Sequence, residues 1–72
     1  MATFTISGKK NPGDIITADG GASPVALTDT LTVHGYSETV SEALKRGLVR
    51  VGSVNANVTT YQLLQNPDKF NQ

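Results

Sequence analysis

Cysteine is absent from this chain of 72 residues, and no other sequence feature limits the possible folds as much. A domain of this size has a small core, and its apolar burial only about balances the entropy of ordering the chain. Short domains usually recover the deficit with disulfides, a bound metal or a partner subunit. Disulfides and thiolate metal sites need cysteine, so both are excluded. The only histidine is His34, which excludes a compact multi-histidine site. A protein–protein interface is the support that remains. The chain is therefore expected to form a homo-oligomer, to join a larger protein assembly, or both, with a well-packed monomer as the alternative.

Six Lys and Arg residues against six Asp and Glu give a formal net charge of zero. That balance lacks the basic footprint of nucleic-acid binders. No apolar run approaches the ~18 residues of a membrane-spanning helix. The stretch Met1–Ser7 has neither the basic start nor the apolar centre of a signal peptide. The expected location is the cytoplasm or a larger assembly, without secretion by a signal peptide. Asn57-Val58-Thr59 matches a glycosylation sequon and, without a secretory route, is read as chance.

Residues 1–72 read as a single domain. Phe4 and Ile6 alternate with Thr3, Thr5 and Ser7, which predicts a short strand. Residues 8–13 form a polar turn cluster, and residues 15–18 a second apolar run. Two glycines and a proline make residues 19–24 a loop. Val25, Ala26 and Leu27 suit a short strand or an extended arm. Leu31 and Val33 alternate with Thr30, Thr32 and His34 in a stronger strand that Gly35 ends.

Ser37 can cap a helix from Glu38 to about Arg46, with Val40, Ala43 and Leu44 on one face. Thr39-x-x-Glu42 offers an alternative start two residues later. Glu42 and Arg46 are spaced for an i, i+4 pair. Gly47 stands where a left-handed C′ residue belongs, with Leu48 folding back toward Ala43. Leu48, Val49 and Val51 then read as a strand. Val54, Ala56 and Val58 resume alternation in the opposite parity, which predicts a bulge or turn at Gly52. Thr59-x-x-Gln62, with Val58 and Leu63 in staple positions, predicts a short helix over about 60–65. Asn66-Pro67 stops it, and Phe70 packs back or anchors on a partner. The expected fold is α+β: a small, mainly antiparallel sheet of short strands with one main helix and a short C-terminal helix.

The parts for catalysis are thin. Asp14, Asp19, Asp29 and Asp68 fall in turns or element ends, where Asp serves the local backbone. Glu38 and Glu42 fall on a solvent-facing helix flank. His34 with Ser37 and Asp29 could be imagined as a triad, but the three crowd one strand and one helix start. No phosphate-binding glycine pattern and no calcium loop occurs. Lys9, Lys10, Lys45, Arg46 and Arg50 could gather into a basic patch, with Phe4 and Tyr36 as stacking surfaces. That needs several coincidences, and ordinary solvated side chains, with Lys45 and Arg46 serving the helix C-terminus, are the simpler reading. No cofactor, metal or small-molecule substrate is expected.

The remaining features concern contacts between proteins. The loop over residues 19–26 has small side chains and one proline, and such a segment can lie along a neighbour or add to its sheet. Gly20, Gly21, Ala22, Ser23, Pro24 and Val25, with Phe70, are the candidate partner contacts.

The stretch Thr32-Val33-His34-Gly35-Tyr36-Ser37, followed by Val40, Ala43-Leu44 and Gly47-Leu48-Val49, resembles strand–helix–strand segments of small virion proteins of tailed bacteriophages. The cysteine-free, Thr- and Gly-rich, neutral texture is similar too. The resemblance covers about a quarter of the chain. It implies a head-decoration or accessory role, with a homo-oligomer clamped on a capsid lattice. The expected function is a non-enzymatic structural or assembly protein. The alternative is a small regulatory module that docks on a host protein or nucleic acid.

Overall fold

A computed structural model describes residues 2–8 and 11–71. The α+β class holds: short, mainly antiparallel strands, one α-helix and one short C-terminal helix. The strands divide between two three-stranded sheets. The first sheet holds β1 (Thr3–Ile6), β3 (Thr30–Val33) and β4 (Tyr36–Thr39) in the order β1-β3-β4. The second holds β2 (Ile15–Asp19), β6 (Val58–Leu63) and β5 (Val49–Asn55) in the order β2-β6-β5. Only the β1–β3 pair is parallel. The helix α1 (Val40–Lys45) links the sheets, and a 3-10 helix spans Pro67–Asn71.

Both sheets and the helix feed one core. Ile16 and Ala18 come from β2, Leu31 and Val33 from β3, Val40 and Ala43 from α1. Leu48, Val49, Tyr61 and Leu63 complete it, and Phe4, Ile6, Val25, Leu44 and Phe70 pack against it. Burial alternates along β2, β3 and β6, so period-two patterning places these side chains. Burial raises the pKa of Tyr61, and a hydrogen bond with the Thr59 side chain partly offsets the rise.

The helix begins at the later of the two predicted starts. Thr39 is the N-cap, and its Oγ1 accepts from the Glu42 amide at 3.2 Å. Ser37 and Glu38 therefore belong to β4, where pairing opposite Thr32 and Leu31 of β3 holds them extended. The end is as expected. Gly47 has φ +78°, its amide donates to Leu44 O, and the Leu48 amide donates to Ala43 O at 2.9 Å. This is a full Schellman closure.

The predicted helix over 60–65 is a strand. Val58, Thr59, Thr60 and Tyr61 are β-branched or aromatic, and β6 is the central strand, bonded on both sides. Sheet pairing therefore overrides the Thr59-x-x-Gln62 signal. The expected alternation through Ala56 also gives way. A two-residue turn at Ala56 and Asn57, with Ala56 at φ +55°, joins β5 to β6. The predicted bulge is present: the register shifts between Val51 and Ser53, leaving Gly52 as the extra residue. The short C-terminal helix lies at Pro67–Asn71, beginning at the proline expected to end it.

The expected Glu42–Arg46 pair is replaced by another. Arg46 Nη1 lies 3.2 Å from Glu38 Oε2 and donates to the Tyr36 hydroxyl at 2.9 Å. Tyr36 in turn donates to Glu38 Oε2 at 2.8 Å. Phe70 closes this group, edge-on to Tyr36 at 5.5 Å and beneath the Arg46 guanidinium at 4.8 Å. Glu38 is thus not on a solvated flank; its side chain is 8% exposed. Strand β4 turns it to the face it shares with Tyr36, so the i, i+8 partner wins over the i, i+4 one.

Candidate functional site

Residues 19–26 form a pinned turn rather than a strand or a free arm. Asp19 Oδ1 accepts from the Gly21 amide at 2.9 Å, an Asx turn. The Gly20 amide donates to Asn57 O at 2.8 Å, and Asn57 Nδ2 donates back to Gly21 O at 2.9 Å. The loop is therefore stitched to the β5–β6 turn from both directions. Gly20 is required there for space. A Cβ at that position would overlap the Ser23 carbonyl oxygen and approach Asn57 O at 2.9 Å. These bonds also bear on the sequon. The Asn57 amide nitrogen, where a glycan would attach, is engaged, and Thr59 is buried.

Asp29 holds the other end of the segment. Its Oδ1 accepts from the Ala2 amide and its Oδ2 from the Ala26 amide, both at 2.9 Å. These two bonds, Ala2 first, hold its carboxyl below the ordinary value of 3.8, against an opposing desolvation effect. A depressed carboxyl contributes stability that is present above its unfolded pKa and lost as pH falls through its folded pKa. Asp29→Asn should therefore melt earlier than the parent at neutral pH. The difference should shrink once pH falls below 3.8. Paired thermal melts down to about pH 2 check this, and a difference that stays constant contradicts it.

Between loop and strand lies a hollow of about 370 Å³, lined by Ala2, Phe4, Gly20, Ser23, Pro24, Ala26, Thr28 and Asp29. Three of the expected contact residues, Gly20, Ser23 and Pro24, thus fall on one wall. Gly21 and Ala22 are exposed at the turn, and Val25 packs against the core. Phe70 lies elsewhere, half-buried against Tyr36. The opposite wall is the start of β1, an edge strand. The Thr30 amide donates to Ala2 O and the His34 amide to Ile6 O, so Ala2, Phe4 and Ile6 turn their backbones toward β3. By the alternation of a parallel ladder, Thr3 and Thr5 present their N–H and C=O to the open side.

The hollow offers shape and backbone, with both Asp29 oxygens occupied. Ser23 and Thr28 supply hydroxyls, but no base in the lining is free to activate them. The imagined triad is dispersed. Asp29 precedes β3 and His34 follows it, which separates them by roughly 15 Å of strand. Ser37 Oγ is bonded to Thr32 Oγ1 at 2.7 Å. Of the cations considered for a basic patch, Arg46 is bound to Glu38 and Arg50 donates to Gln62 Oε1 at 3.0 Å. Lys9 and Lys10 lie outside the described residues. Among the described residues, no three His, Cys, Asp or Glu side chains come together as metal ligands, and no helix is long and apolar enough to cross a membrane.

Sequence reasoning missed the part of Ala2, Phe4, Thr28 and Asp29 in the hollow. The one available signal was Asp29 itself, an acid three residues after Ala26 and directly before a strand. The chain matches no protein-family model, no curated protein and no solved structure.

Proposed function

We propose that this chain is a non-enzymatic structural protein that joins a larger protein assembly. The contact is an extended segment of a neighbouring subunit, which lies along the open edge of β1 and seats a side chain in the hollow. The observation that carries this reading is the preformed hollow beside a strand edge that is unpaired among the described residues. Strand addition needs both parts: free main-chain groups for affinity and a pocket for selectivity. Four hydrogen bonds already fix the loop to Asn57, Asp19 and Asp29, so binding orders little that is not ordered beforehand. A capsid, with the chain in a head-decoration or accessory role, is the assembly that the resemblance over residues 32–49 supports.

Ala26 is exposed on the rim, and Ala26→Trp would fill the hollow. Stability should change by no more than about 0.5 kcal/mol, as at other surface positions. Recovery of the chain in assembled particles purified from its source should fall at least tenfold. Equal incorporation of the variant, or absence of the parent chain from such particles, overturns the reading.

A further inference from the structure

We propose that β5 is a self-pairing edge, and that two copies of this chain join there as an antiparallel two-fold dimer. The strand is long for so small a sheet, and every residue from Arg50 to Asn55 is exposed. Among the described residues its one sheet neighbour is β6. Val51 and Val54 are 44% and 64% exposed, although they stand on the inner face of the sheet, opposite the buried Tyr61 and Thr59.

The ladder determines which backbone groups are free. The Leu64 amide donates to Leu48 O at 2.8 Å. Alternation from that bond makes Arg50 face Gln62 in a bonded pair and leaves Val51 opposite Tyr61 in a non-bonded one. From the other end, the two-residue turn makes Asn55–Val58 a bonded pair and Val54–Thr59 a non-bonded one. Val51 and Val54 therefore turn their N–H and C=O groups to the open side. The bulge at Gly52 does not spoil this edge. It absorbs the extra residue, so Val51 and Val54 stand as far apart as Tyr61 and Thr59, their partners two positions apart on β6.

The same bulge makes the edge complementary to itself. In an unbulged strand, residues three apart face opposite sides. Here Val51 and Val54 share a face. A second copy run antiparallel can therefore set Val51 against Val54 and Val54 against Val51, with four main-chain hydrogen bonds. The same register sets Arg50 against Asn55 on the outer face, so the two arginines never oppose each other. Between Val51 and Asn55 there is no charge and no proline, two of the guards of an exposed edge, and the bulge at Gly52 is the one guard present. The zero net charge of the chain removes general repulsion between copies. Arg50, already bonded to Gln62, is the one charge on β5, so a partner of strong charge has little on this edge to recognise. The inference gives the assembly reading a self-contact, but it does not involve the hollow.

The test is sedimentation velocity across a concentration series, with a contact this small expected to dimerise at roughly 10–500 μM. Val54→Lys, at an exposed position, should leave the fold intact and weaken dimerisation at least tenfold. Register is checked by cysteine, which the native chain lacks. An equimolar mixture of Val51→Cys and Val54→Cys chains should oxidise mainly to the mixed disulfide, because directly opposed residues lie about 5.5 Å apart and like residues lie diagonally at about 7–8 Å. Three results overturn the proposal: a monomer up to about 1 mM, a dimer indifferent to Val54→Lys, or random cross-linking. Ala26→Trp should leave this dimer unchanged, which separates failure here from failure at the hollow.

Discussion

Gly20→Ala should destabilise the chain by about 3 kcal/mol, while the same change at the adjacent Gly21 costs about 1 kcal/mol. The two glycines are neighbours with opposite constraints. Gly21 has φ +69° and open space around the position of a Cβ, so alanine there meets only backbone strain. Gly20 has no left-handed φ, but its Cβ would overlap the Ser23 carbonyl oxygen. Backbone oxygens cannot swing aside as a side chain can. Either the turn opens or the loop leaves Asn57, and the 2.8 Å bond from the Gly20 amide to Asn57 O is lost with it. Urea denaturation of the two variants gives the ordering. Amide exchange at Gly20 should accelerate in the same variant. Equal costs would mean that the loop yields easily, and the hollow would then not be preformed.

Leu31→Ala should cost about 2–5 kcal/mol and lower the urea midpoint sharply. Leu31 is 1% exposed on the central strand of its sheet, paired with Phe4 on one side and Glu38 on the other. Truncating a buried leucine costs about 2–5 kcal/mol through lost transfer energy and the cavity left behind. At ~0.05–0.15 kcal/mol per residue, the whole domain is worth roughly 4–11 kcal/mol. One side chain thus removes a large share of the total. Leu31→Met keeps most of the volume and should cost less than about 1.5 kcal/mol. Circular dichroism with urea titration measures both, and a small effect from alanine would mean that the core collapses into the gap.

Local chemistry made parts of this fold legible. Gly47 and Leu48 close α1 because a left-handed glycine followed by an apolar residue satisfies the last carbonyls whatever the tertiary context. The parity switch at Gly52 marked the bulge because side-chain alternation cannot skip a residue without one. Signals that depend on distant partners were less readable. Thr59 and Gln62 fit a helix start as well as a strand, and only pairing with β2 and β5 decides between them. Glu38 could be either the first residue of a helix or the last but one of a strand. The choice came from Thr32 and Leu31 across the β3–β4 turn. The glycines and proline of residues 19–26 were legible as a loop in composition. The hollow itself needs Ala2 and Phe4, which arrive from the other end of the chain.

The pairing order of the strands also bears on how the protein is made. Neither of the first two strands can pair with the segment that follows it. β1 waits for β3, which begins at Thr30, and β2 waits for β6, which begins at Val58. Ile15 faces Gln62, a separation of 62 − 15 = 47 residues. The later elements form β3–β4 and β5–β6 hairpins with two-residue turns. Synthesis from the N-terminus therefore delivers the long-range strands first and the locally closed units last. β1 can be captured once β3 has been made, whereas β2 stays without its partner until β6 has been made, so the second sheet is the last part to close.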